Sequence, residues 1–113
     1  MHEMSIAEGI VQLLEEQAAA QRFARVRAVW LEIGPLAAVE VESLRFCFEA
    51  VTRGSLAEGA RLEIVELPGR AWCLGCNASV AIRQRYDACP QCGSHRLQVT
   101  QGDELRVKEL EVD

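Results

Sequence analysis

Four of the chain's five cysteines form two matched pairs, Cys73-Leu-Gly-Cys76 and, twelve residues on, Cys89-Pro-Gln-Cys92. Each pair can sit on a tight turn, so that both sulfurs reach one ion from the same side. Two such turns, joined by an antiparallel excursion, match the spacing of a four-thiolate zinc ribbon. Disulfides or a redox dithiol are the alternatives. Two matched pairs in one short segment favour Zn(II), with Cys73, Cys76, Cys89 and Cys92 as its ligands. Four sulfurs complete a tetrahedron and leave no position for water, so the expected site is structural rather than catalytic. Gly75 inside the first pair and Gly93 after the second are expected to supply positive φ, and Pro90 presets φ in the second turn.

The other chemically suggestive residue is His2. A free amine at Met1, the backbone nitrogen of His2 and its imidazole can close chelate rings on one ion. Planar amide and imidazole nitrogens suit Ni(II) or Cu(II). A histidine near a chain end is more often simply an exposed side chain. His95 reads as a surface residue beside the second pair, since four thiolates already satisfy a tetrahedral ion. Cys47, among Phe46, Phe48 and Val51, reads as a buried apolar residue. No Gly-rich phosphate loop and no hydrolytic constellation is present, so catalytic residues are expected to be none.

Elements must position these groups. Ser5 and Glu8 form a capping box, which predicts a helix over residues 5 to about 20 and leaves residues 1–4 as an extended tail. Ile6, Ile10, Leu13, Leu14 and Gln17 follow helical spacing. Residues 25–33 alternate with apolar side chains on both faces, which predicts a central strand ended by Gly34-Pro35. Val41, Leu44, Phe48 and Val51 predict a second helix over about 40–53, with Glu40 and Glu42 at its positive end. Residues 60–67 predict a further strand, and Pro68-Gly69 a linker. Short strands are expected at 79–82 and 96–99. Residues 105–112 alternate with a change of phase at Lys108-Glu109, which predicts a bulge or an early end. That last strand is a poor candidate to stand alone and is expected to rejoin the first sheet. The expected fold is α+β, two helices packed on a small mixed sheet with an inserted zinc-ribbon module. Its boundaries fall at 1–68 plus 101–113 for the discontinuous α+β domain and 69–100 for the insertion.

Composition narrows the function. The 113 residues suffice for one modest core plus a metal-stapled module. Net charge is −5, which argues against a generic nucleic-acid binder. Residues 70–99 carry four Arg and one Asp, a net +3, and the remainder is at −8. Four thiolates around a zinc ion bring the module to about +1. The start of the chain lacks a basic segment followed by an apolar run, and no stretch approaches the ~18 apolar residues of a membrane span. A cytoplasmic location without membrane contact is expected, and a reducing compartment suits zinc thiolates.

Met1-His2-Glu3-Met4-Ser5, the segment Trp30-Leu31-Glu32-Ile33-Gly34, residues 43–51 and the two cysteine pairs together resemble the HypA/HybF family of hydrogenase maturation factors. The resemblance covers essentially the whole chain, and the initial Met-His-Glu combined with the doubled Cys-x-x-Cys makes it specific. It implies a cytoplasmic nickel metallochaperone with a nickel-binding α+β domain and a zinc-ribbon insertion. Such a protein helps a nickel-handling GTPase deliver Ni(II) to the large subunit of [NiFe] hydrogenase, and in some relatives serves urease. By position it implies His2 as a nickel ligand, and Glu3 as a neighbour that contributes a backbone nitrogen or tunes the site. The four cysteines become the zinc ligands, and Glu40 falls near a position where relatives carry an acidic residue close to nickel. This chain lacks the histidines that flank each pair in some relatives, so a scheme coupling zinc-site histidines to pH is not expected. A homodimer by exchange of the terminal strand stays open. The rival expectation is a zinc-ribbon module that binds protein or nucleic acid, with Arg83, Arg85 and Arg96 on phosphates.

Overall fold

The computed structural model describes residues 2–113. Its elements run α1 (Glu3–Gln21), β1 (Val26–Ile33), a 3-10 turn (Pro35–Ala37), α2 (Val41–Thr52), β2 (Arg61–Glu66), β3 (Gly69–Cys73), β4 (Ala78–Ile82), β5 (Leu97–Gln101) and β6 (Leu105–Val112). The strands form two sheets of three, ordered β2-β1-β6 and β4-β3-β5. The fold is α+β, as expected.

The chain separates into two compact units. One holds the chain up to Leu31, Val39–Ile64 and Val107–Asp113; the other holds Glu32–Ala38 and Val65–Arg106.

In the first unit, α1 buries Glu3, Ala7, Ile10, Val11 and Leu14, a stripe of helical period. Leu13, expected on the inner face, is 37% exposed. Helix α1 packs against α2, which buries Leu44, Phe48 and Thr52 one turn apart. The Thr52 hydroxyl is satisfied within the helix, donating to the Phe48 carbonyl at 2.7 Å. Cys47 is half-buried rather than buried, because it lies beside the apolar stripe and not on it. Strand β1 is central, as its two apolar faces require. Its sheet is mixed. Residues near both ends of β1 bond to β6 in reverse order, Asp113 N–H to Arg25 and Gly34 N–H to Glu104. The β2 side runs in the same direction, Val26 N–H to Leu56 and Leu67 N–H to Ile33.

Helix α1 starts two residues before the capping box, at Glu3, with His2 as its N-cap. The first helical bond runs from Ile6 N–H to the His2 carbonyl at 3.0 Å. Residues 2–4 are therefore not an extended tail; Met1 lies outside the described residues. Burial of Glu3 at 6% exposure explains the earlier start, since a side chain fixed in the core holds the turn that a free cap would otherwise have to hold. Strand β6 runs unbroken from Leu105 to Val112, so it does not end early at Lys108-Glu109. Val107 and Leu110 are only half-buried there, and an edge strand tolerates mixed faces.

In the second unit, Gly69 is not linker but the first residue of β3, the central strand of its sheet. Sheet pairing is antiparallel throughout, with Ala71 opposite Val80 on one side and Val99 on the other. One face packs Ala71, Cys73, Val80 and Ile82 with Leu36 and Cys89 into a small core. Three glycines let the backbone close on itself here. A Cβ on Gly34 would collide with the Gly102 carbonyl, and one on Gly102 would lie 2.8 Å from the Gly69 Cα. Gly102 also holds φ +123, a conformation side chains rarely adopt.

Gly34→Ala is therefore expected to destabilise the protein by about 1–3 kcal/mol or more, as overpacking against backbone does. Gly9→Ala, on the exposed side of α1 with nothing within 4 Å of the added Cβ, should instead stabilise by about 0.5–1 kcal/mol. Chemical denaturation of the two variants beside the parent checks both signs.

Candidate metal centre

The cysteine pairs are built on two turns of similar construction. Strand β3 ends at Cys73, and the Asn77 N–H donates to the Cys73 carbonyl at 2.8 Å. In the second pair the Gly93 N–H donates to the Cys89 carbonyl, also at 2.8 Å. Both closing residues are left-handed, Asn77 at φ 54 and Gly93 at φ 77. Gly93 thus has the positive φ expected of it, whereas in the first pair that role falls to Asn77. Gly75 is needed for another reason: a Cβ there would lie 2.9 Å from the Ser94 Cβ and 3.3 Å from the Cys92 Sγ. The parallel of Asn77 with Gly93 was the available signal, since asparagine is among the few residues that tolerate this conformation.

The two turns face each other. Cys73 Sγ lies 3.6 Å from Cys92 Sγ, and Cys76 Sγ lies 3.8 Å from Cys89 Sγ. All four sulfurs fall within 4.8 Å of one another, and among the described residues they are the one group of ligating side chains close enough to hold an ion. A disulfide needs sulfurs at ~2.05 Å, so the cysteines are unpaired thiols. A tetrahedron with Zn–S of ~2.3 Å has edges of about 3.8 Å, which the close pairs match. His95 is exposed and stands outside the group.

Backbone donors prepare one sulfur for charge. The N–H groups of Cys92 and Gln91 draw the Cys89 thiol down to about 7. Partial burial, then the neighbouring thiols beginning with Cys73, push Cys76 up to about 12. Crowded sulfurs of this kind cannot all ionise at neutral pH without a cation between them. The donor set, the spacing and the charge all fit a closed four-thiolate Zn(II) site that would bind no substrate.

The N-terminal residues are placed differently. His2 is exposed and its side chain takes no part in capping α1. The Glu3 carboxylate is turned inward and accepts the Glu40 N–H at 3.0 Å. Glu40 is the N-cap of α2, its own carboxylate accepting the Glu42 N–H at 2.9 Å. The fold thus brings His2, Glu3 and Glu40 to the starts of two helices. The Glu40 carboxylate is engaged as a cap. The Glu3–Glu40 bond joins residues 37 positions apart and had no signature in the sequence.

Comparison with known proteins places this geometry. A family model described as hydrogenase/urease nickel incorporation, metallochaperone, HypA matches residues 1–112. Over 113 residues the chain is 96% identical to the hydrogenase maturation factor HypA of Azotobacter chroococcum mcd 1, with all of both chains covered. It is 59% identical to that of Rhodopseudomonas palustris (strain BisA53), again over the full length of both. Among solved structures it resembles the solution structure of the Ni metallochaperone HypA from Helicobacter pylori. That likeness has a TM-score of 0.70 at 28% identity and covers 99% of this chain and 97% of the other.

Replacing Cys73 or Cys89 with Ser is expected to drop bound zinc from one per chain to none and to abolish cooperative unfolding of the second unit. Cys47→Ser should leave both unchanged. With thiolates as the ligands, zinc would be released on acidification as protons replace the metal. Elemental analysis beside circular dichroism, across pH, reads all three.

Proposed function

The chain belongs to the HypA family of hydrogenase and urease nickel-incorporation metallochaperones, and on that premise we propose that it takes up one Ni(II) at its N-terminus. The cargo would then pass, with the help of a nickel-handling GTPase, to the large subunit of [NiFe] hydrogenase. The protein would act in the cytoplasm as a carrier, not an enzyme. Among the described residues no helix is long and apolar enough to cross a membrane. Residues 1–68 and 101–113 would form the nickel-binding domain, and 69–100 the insertion stapled by Zn(II) on Cys73, Cys76, Cys89 and Cys92.

The observation that carries the nickel proposal is the placement of His2. It caps α1 ahead of the first helical hydrogen bond, with its imidazole in solvent. A helix uses none of its first four N–H groups in its own ladder. The amide nitrogens at this end can therefore be deprotonated for a metal without breaking helical bonds. The amine of residue 1, the His2 amide and imidazole, and the amide of Glu3 supply nitrogen donors. Deprotonated amides favour the planar coordination that Ni(II) accepts and tetrahedral Zn(II) does not. The Glu3 side chain acts from behind, as a buried anion that offsets the positive end of α1 and tunes the site.

Nickel titration of the untagged protein by calorimetry tests this. One nickel per chain is expected. His2→Ala and, separately, a glycine inserted ahead of Met1 should each weaken it by about tenfold or more, near 1.4 kcal/mol. Zinc should stay at one per chain in both. Unchanged nickel affinity in the two variants would defeat the proposal.

A further inference from the structure

The β4-β3-β5 sheet has a filled face and a bare one. Alternation along β3 sends Ala71 and Cys73 into the core. It sends Arg70 and Trp72 the other way, followed by Leu74 just beyond the strand. Ser79 lies opposite Trp72 on β4 and Gln98 on β5. Arg96 accepts the Leu74 N–H on its carbonyl at 2.9 Å, which sets it across from Leu74. At the middle of this face Trp72 is 40% exposed, and Leu74 beside it is 39% exposed.

The surroundings are cationic. Strands β3, β4 and β5 contain no carboxylate. Over residues 69–101 the acidic side chain is Asp87 alone, against Arg70, Arg83, Arg85 and Arg96. Asp87 is turned to its own loop, accepting the Arg83 and Gln84 N–H groups at 2.8 and 3.1 Å, and these donors hold its carboxyl below the usual range. Arg70 is fixed on the bare face, where its Nη2 donates to Ser79 Oγ at 2.9 Å beside Trp72. The Cys73 sulfur belongs to the opposite face, so negative charge gathered there does not cancel these arginines directly.

Tryptophan and arginine are the residue types that carry most binding energy at protein interfaces, and Ser79 and Gln98 supply a polar rim. We propose that this face is a docking surface for an acidic, extended segment of a partner protein. An apolar side chain of that segment packs on Trp72, and its carboxylates pair with Arg70 and Arg96. The surface contains no metal-ligating side chain. A nucleic acid would want several stacking aromatics along a basic track, and one tryptophan between two arginines suits a peptide better.

The test uses the full zinc-containing chain without nickel and a fluorescein-labelled peptide of repeated Glu-Leu-Glu-Gly, followed by anisotropy. Its Lys-Leu-Lys-Gly counterpart and an oligothymidine of similar length serve as comparison probes. Saturable binding of the acidic peptide alone is expected, weakened by salt. Trp72→Ala should reduce it by about tenfold or more, within the range of interface anchors. Trp72→Phe should restore much of it, and Arg70→Gln should weaken it while leaving zinc content and nickel affinity unchanged. If Trp72→Ala does not fold, the Trp72→Phe and Arg70→Gln variants decide the matter by the same anisotropy. Equal peptide affinity in the parent and the folded variants, absence of saturable binding, or tighter binding of the oligothymidine overturns the proposal.

Discussion

The second unit has too little apolar volume to hold its sheet by burial alone. Its buried core amounts to Leu36, Ala71, Val80 and Ile82 together with two cysteines, Cys73 and Cys89. Strands β3, β4 and β5 are five residues each. Ordering such a segment costs about 1–2 kcal/mol per residue in backbone entropy, and a core of this size does not offset it. A cross-link is required, and the four sulfurs stand where a dication would supply it. The demand also fixes the character of the site. A centre that holds a fold together is closed, with no open position for a second ligand. On the proposed function, the cargo is then carried elsewhere.

The first unit meets that second demand with a different device. His2 is exposed, yet the residue after it is anchored. The inward carboxylate of Glu3, bonded to the Glu40 N–H, ties the start of α1 to the start of α2. Both helix starts carry positive partial charge, so one anion between them is favourable twice. The result is an accessible imidazole on a base that does not move freely. That would supply the preorganisation which the proposed N-terminal metal site needs and which a frayed end would lack.

Much of this could be read from the chain. The cysteine spacing encodes the four-sulfur group because each pair is a local turn, and local geometry is written in local sequence. Strand β1 was legible because its two apolar faces leave only a central place. What stayed hidden was set at a distance. Ser5 and Glu8 formed a plausible cap, but long-range burial of Glu3 moved the helix start to Glu3, with His2 as its cap. Gly69 looked like punctuation after Pro68, although it opens a central strand. Close approach of the Ile82 carbonyl requires it, not a turn. The positive φ expected of Gly75 fell to Asn77, because tight packing and positive φ both ask for small or special residues, and sequence alone does not say which.

If nickel sits at the N-terminus and zinc among the cysteines, as proposed, the contrast between the two ions follows from donor type. Side-chain sulfurs are visible as a pattern, since evolution of such a site must place four cysteines. Main-chain nitrogens are present in every peptide, so a site made largely of them shows itself through a single side chain at a particular distance from a free amine. The same choice governs release. Amide nitrogens bind only when deprotonated, so a proton or a better ligand can displace the metal one donor at a time, with no element of the fold disturbed. Removing an ion from four thiolates instead takes away the brace of a sheet. A carrier that must keep its shape while surrendering its cargo is therefore best served by putting sulfur inside and nitrogen at the tip.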